Sequence, residues 1–171
     1  MSPVTLFDST TMSPSNPAFH PLALCVPPLA VGVIAATLGW IAARACPTLT
    51  VGHPARPWVA AILVAAGICC SLGGVISFRR ARTIVNPLTP EAATTLVRSG
   101  VYRFTRNPMY LGFLLFLMAD IVWLANAAAF VAAPAFVLYL NRFQILPEEH
   151  ALRHRFGPTY LSYATQVRRW I

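Results

Sequence analysis

The residues able to do chemistry in this chain gather in one stretch, Gly100-Val101-Tyr102-Arg103-Phe104-Thr105-Arg106-Asn107-Pro108-Met109-Tyr110-Leu111-Gly112. It sets Arg103, Arg106, Asn107, Tyr102 and Tyr110 at the mouth of a long apolar run, where polar and aromatic side chains are costly unless they bind something. Asn is a good helix N-cap and Pro is favoured at the first helical position, so Asn107-Pro108 starts a helix. A helix start at a membrane edge, with Arg106 reaching to lipid phosphates, accounts for part of the pattern. The same start also offers free backbone N–H groups to an anion. Tyr102 and Tyr110 can stack on, or hydrogen-bond to, a flat ligand, while Gly100 and Gly112 permit close approach. A second stretch, Pro147-Glu148-Glu149, begins a polar helical tail after the last apolar run. Acids suit a first helical turn, and a carboxylate there also suits an ammonium group or a pair of ribose hydroxyls. Adjacent helical residues point about 100° apart, so at most one of the two carboxylates need face a ligand directly. The expectation is that the two stretches close over one cofactor at a membrane surface.

Composition decides what must position them. Of 171 residues, 57% are hydrophobic and 11% charged, and the mean hydropathy is +0.62. A soluble domain carries about 25% charged residues, so the solvent for this surface is lipid. The fold class is therefore all-α, an integral membrane bundle of about four transmembrane helices. The apolar runs are Pro28 to Ala43 (or from Leu22), Trp58 to Phe78, Met109 to Ala125 and Ala127 to Leu140. The last two form a hairpin turning at Asn126. Three segments follow: a flexible tail at 1–20 without the basic start of a secretory signal, the first two membrane helices at 21–78, and a core at 79–171. Within that core a polar cytosolic loop with a short helix at Glu91–Val97 precedes the hairpin. The tail from Pro147 to Trp170 is an amphipathic interfacial helix interrupted at Gly157-Pro158, burying Leu152, Phe156, Tyr160, Tyr163 and Val167, with Trp170 as a headgroup anchor.

The net charge is +8, and all the positive charge is arginine, since the sequence contains no lysine. In so apolar a chain this points to topology and anionic headgroups, and no nucleic-acid partner is expected. Most arginines fall in the second connection (Arg79, Arg80, Arg82, Arg98, Arg103, Arg106) and the tail (Arg142, Arg153, Arg155, Arg168, Arg169). The positive-inside rule puts both regions, and both termini, in the cytoplasm; the expected location is the bacterial inner membrane. Cys25, Cys46, Cys69 and Cys70 lack metal spacing and read as small buried hydrophobes. His150 and His154 lie one turn apart with no third ligand, so no metal is expected. Asp120, deep in the third run, is an intramembrane acid of open role.

The motifs together resemble the isoprenylcysteine carboxyl methyltransferases and the related phospholipid methyltransferases. The resemblance is carried by Thr94-Thr95-Leu96-Val97-Arg98-Ser99-Gly100-Val101-Tyr102, by Arg106-Asn107-Pro108-Met109-Tyr110-Leu111-Gly112, and by Glu148-Glu149-His150-Ala151-Leu152 with Phe156-Gly157, Tyr160, Tyr163 and Val167. It runs from about Phe78 to Ile171. It implies S-adenosyl-L-methionine as cofactor, held by Thr94, Thr95, Leu96, Val97, Tyr102, Asn107, Pro108, Met109, Tyr110, Glu148 and Glu149. The residues themselves make Arg106 the candidate catalytic residue, orienting substrate or cofactor, and the expected methyl acceptor is a lipophilic small molecule or lipid. The family often has His where this chain has Thr94 and Asn107. The eukaryotic prenylcysteine enzymes carry a substrate-contacting Arg where this chain has Gln144, with Arg142 two residues earlier; these two are the candidate substrate residues. Two other readings compete: an NADPH-dependent membrane reductase of the sterol-reductase type, and a non-enzymatic scaffold whose arginines only set topology.

Overall fold

The computed structural model describes residue 24 and residues 26–50, 52–81 and 95–171. The expected tail at 1–20, Cys25, Thr94 and most of the expected helix at Glu91–Val97 lie outside the described residues. Among the described residues six α-helices follow in order: α1 (Pro28–Ala45), α2 (Arg56–Arg80), α3 (Pro108–Leu124), α4 (Ala132–Leu140), α5 (Leu146–Phe156) and α6 (Pro158–Gln166). No strand occurs among the described residues. The protein is an all-α integral membrane protein. Among the described residues three helical stretches are long and apolar enough to cross a bilayer, namely Pro28–Ala45, Arg56–Arg80 and Ala127–Phe156, and α3 is a shorter apolar helix of 17 residues. At 1.5 Å per residue α3 reaches about 26 Å, the short arm of the hairpin. Leu29, Val33, Leu38, Trp58 and Ile62 turn outward, giving α1 and α2 the apolar exterior that lipid requires.

Without a hydrophobic force between helices in lipid, close approach depends on small residues. On α2 the buried residues Ala60, Gly67 and Gly74 recur every seven positions. A Cβ at Gly67 would meet Phe116 and, at 3.1 Å, the carbonyl of Gly112; one at Gly74 would meet Met109 and Pro108. This stripe therefore lays α2 directly along α3. On the opposite side Val31 and Ala35 of α1, Leu117 and Ile121 of α3, and Ala132, Phe136 and Leu140 of α4 form the main core.

Asn126 makes the hairpin turn, as its type suggested. Ala125 takes the left-handed conformation (φ 51°) that ends α3. The Asn126 carboxamide then accepts from Ala128 N–H at 2.9 Å. Its Nδ2 donates to the carbonyl of Cys46 at 2.8 Å and to Thr50 Oγ1 at 3.2 Å, tying this turn to the α1–α2 connection. Asn126→Ala deletes these bonds of a fully buried carboxamide and should cost about 2 kcal/mol, read as a lowered thermal unfolding midpoint in detergent.

The tail differs from the sequence expectation. Pro147 does not start a separate helix: α4 passes through a π-helical turn, Asn141–Ile145, straight into α5. A proline inside a helix leaves the carbonyl four residues earlier without its donor. Here that carbonyl belongs to Phe143, in the π turn, and it accepts instead from Leu24 N–H at 2.9 Å. The helix breaks only at Gly157, whose φ of 48° favours glycine. Trp170 is likewise no headgroup anchor, because its indole Nε1 donates to Asn141 Oδ1 at 3.1 Å and its ring packs on the main core.

Candidate functional site

The site lies where the entry to α3 meets α5 and α6. Gly100 opens a short 3₁₀ turn, Gly100–Arg103, with φ 65°, and a Cβ there would also strike Ser77 Oγ. This turn buries Tyr102 edge-on against Phe78, at 5.4 Å between ring centres. The Tyr163 hydroxyl donates to the Tyr102 carbonyl at 2.8 Å, holding α6 against the turn. Thr105 Oγ1 accepts from Asn107 N–H at 3.2 Å, and Pro108 then opens α3. Asn107 stands at the N-cap position, yet its side chain does not cap the helix. Its Nδ2 donates to the Arg169 carbonyl at 2.9 Å, because the segment after α6 runs back across the start of α3.

The two acids divide their work. Tyr110 hydroxyl donates to Glu148 Oε2 at 3.0 Å, so the first stretch and the tail meet at the residues the sequence singled out. Glu149 is buried and paired twice, with Arg106 Nη1 at 2.9 Å and with both Nε (3.0 Å) and Nη2 (2.7 Å) of Arg169. Arg106 Nη1 also donates to the Tyr160 hydroxyl at 3.2 Å, while its buried Nε has no partner. Among the described residues Glu148 has no ion-pair partner, so it is the uncompensated negative charge of the site.

The 127–156 helix outruns the ~20 residues a bilayer core needs, and its apolar part ends at Leu146. Glu148 thus stands outside the membrane-spanning part. Burial raises its carboxyl from 4.5 to about 7, the Tyr110 hydrogen bond pulling down and neighbouring Glu149 pushing up. Burial also lifts the Tyr102 hydroxyl, assisted by Glu148, and that of Tyr163. The Glu149 hydrogen bonds raise Arg169 further, keeping it charged.

Two adjoining cavities share Tyr102, Arg106, Asn107 and Glu148 as walls. Phe78, Met109 and Tyr110 complete the first. Leu96, Val97, Glu149, Leu152, Tyr160 and Tyr163 complete the second, which is the more apolar in its lining side chains. Of the residues expected from sequence, Leu96, Val97, Tyr102, Arg106, Asn107, Met109, Tyr110, Glu148 and Glu149 thus converge. Thr95, Pro108 and Arg142 line neither cavity. Nor does Gln144: it is fully buried in the π turn, and its Nε2 donates to the Val26 carbonyl, which removes it from the position expected of a substrate contact. Sequence reasoning missed Thr105, Arg169, Phe78 and the site-facing hydroxyls of Tyr160 and Tyr163. The helical spacing of the two tyrosines marked them as buried, but nothing in the pattern distinguished Arg169 from the other tail arginines.

Fold and site together define a helical membrane protein with a charged pocket at one end of its bundle. The chain belongs to the phospholipid methyltransferase family, whose model matches residues 55–159. It is 36% identical over 109 residues to protein-S-isoprenylcysteine O-methyltransferase A of Arabidopsis thaliana, covering 62% of this chain and 54% of that protein. A probable protein-S-isoprenylcysteine O-methyltransferase of Oryza sativa subsp. indica is 35% identical over 113 residues, 64% of this chain and 58% of that protein. An uncharacterized protein of Haemophilus influenzae is 44% identical over 63 residues, which are 37% of this chain and all of that protein. The chain spans about half the length of the plant relatives it matches. No solved structure gives a significant match.

Proposed function

We propose that this protein is an S-adenosylmethionine-dependent methyltransferase acting on a lipophilic acceptor at the cytoplasmic face of the bacterial inner membrane. The observation that carries this is the Tyr110–Glu148 contact at 3.0 Å, which sets a carboxylate without a cationic partner into the wall of both cavities. The donor set fits the cofactor. Glu148 meets the ammonium group, and the unpartnered Nε–H of Arg106 is free for a carboxylate. Leu96, Val97, Leu152 and Tyr163 offer an apolar and aromatic wall for the adenine. When bound, S-adenosylmethionine supplies an electrophilic methyl group on its sulfonium.

The chain's own contribution is alignment and exclusion of water. Tyr110 fixes the Glu148 carboxylate, and Glu149 with Tyr160 fixes Arg106. Phe78 and Met109 give the first cavity an apolar edge against which a lipophilic acceptor presents its head group. Arginine placement supports the orientation, since Arg79, Arg80, Arg103 and Arg106 sit at the same end of α2 and α3 as the site. The reductase alternative fits less well, because an unpaired Glu148 repels the phosphates of NADPH.

Titrating the purified protein with S-adenosylhomocysteine and with NADPH while following thermal unfolding separates these readings. At a hundred times its Kd a ligand adds about 2.7 kcal/mol. Stabilisation by S-adenosylhomocysteine alone is expected; stabilisation by NADPH alone installs the reductase, and by neither defeats both. Membranes incubated with methyl-labelled cofactor then identify the acceptor in the labelled lipid fraction.

A further inference from the structure

We propose that Arg169 is a positioning residue of this site, setting its electrostatics through Glu149; the inference deepens the methyltransferase reading and rests on it for its ligand. Arg169 grips both oxygens of Glu149, at 3.0 and 2.7 Å. Its own carbonyl accepts from Asn107 Nδ2 at 2.9 Å and from Thr105 Oγ1 at 3.3 Å. The preceding carbonyl, of Arg168, accepts from Arg106 N–H at 3.0 Å. Three consecutive residues at the entry to α3 therefore hang from two carbonyls of this segment, and the acid of α5 hangs from the side chain of the same segment.

A solvated interfacial arginine has no reason to adopt this geometry. The Arg169 side chain is only 32% exposed, and its fork is bidentate, the strong form of an arginine–carboxylate pair. The electrostatic result is specific. With Arg106 and Arg169 both on Glu149, that acid is neutralised, and Glu148 is left as the one negative charge offered to a ligand. Without Arg169, Glu149 keeps a single guanidinium, and two adjacent carboxylates compete for it. The groups facing Glu148 are then Tyr110 and Tyr102 from the α3 side and a less neutralised Glu149 from its own helix. That raises the pH at which Glu148 ionises.

The test uses the full chain carrying R169Q or R169K, with S-adenosylhomocysteine as probe. R169Q should bind about tenfold or more weaker, in keeping with loss of a charge-assisted pair, and the pH midpoint of its affinity should move upward. R169K restores the charge without the fork, so its midpoint should return towards that of the wild type while part of the affinity loss remains. Amide hydrogen exchange without ligand supplies an independent readout, since residues 105–107 should exchange about tenfold faster in R169Q while α1–α4 do not change. Wild-type affinity, midpoint and exchange in R169Q would overturn the proposal, and so would acceleration spread evenly over the chain, which marks a merely structural residue. If the wild type does not bind the probe, the methyltransferase reading fails while the exchange comparison still decides the role of Arg169. Should R169Q not fold, the exchange comparison on R169K decides, acceleration confined to 105–107 supporting the proposal and none or a uniform one defeating it.

Discussion

Glu148→Gln should weaken S-adenosylhomocysteine binding about a hundredfold, because removing one partner of a buried charge pair costs 2–5 kcal/mol. Titration calorimetry across pH gives a sharper form of the same result. The wild-type carboxyl ionises near 7, so affinity for an ammonium-bearing ligand should climb from about pH 6 to about pH 8. In E148Q that slope should vanish. The ligand-free protein should behave in the opposite sense. With its folded-state value raised from 4.5 to about 7, Glu148 holds its proton more tightly in the fold than in the unfolded chain. This contribution to stability is complete below 4.5 and disappears as pH rises through 7. Tyr110→Ala, which frees the carboxylate without removing it, should cost about tenfold in affinity. A wild-type affinity independent of pH, or an E148Q protein that binds normally, removes Glu148 from the site.

Gly112→Ala is expected to be the most damaging substitution for the fold. The added Cβ would collide with Ser71 Oγ and come within 2.9 Å of the Gly67 carbonyl. The hydroxyl can rotate away, but the carbonyl belongs to the α2 backbone, so relief requires the two helices to separate. Overpacking of this kind costs about 3 kcal/mol, read as a lower unfolding midpoint. Because Tyr110 lies two residues earlier on α3, the displacement should also reach Glu148 and weaken ligand binding. Gly52→Ala is the control, since a Cβ there meets nothing within 4 Å. Equal midpoints for the two variants would show that the α2–α3 contact tolerates a methyl group.

Sequence and structure agree where the signal is local or strongly periodic. The α2 boundary follows from its terminal arginines, the α3 start from Asn107-Pro108, the hairpin from Asn126, and the break in the tail from Gly157-Pro158. The meeting of Tyr110 with Glu148 was legible because the hairpin and its arginines return both to one end. The continuity of α4 into α5 was not. Pro147 carries a strong start signal, while the bond that permits it mid-helix comes from Leu24, more than a hundred residues away in the chain. Likewise Arg169 looks like any basic interfacial residue until the fold brings Glu149 to it. Asn107 has the residue type of a cap and does something else: its Nδ2 donates to the Arg169 carbonyl and its side chain leaves the helix start uncapped.

The unbroken passage from α4 through the π turn to α5 has a mechanical consequence. The glutamates ride on the same rod that crosses the bilayer, whereas Arg106 and Tyr110 ride on the shorter α3. A lipid environment of different thickness changes the tilt of a long helix more than that of a short one. Hydrophobic mismatch would then slide Glu148 and Glu149 relative to their partners, making acyl-chain length a determinant of how well the pocket is assembled.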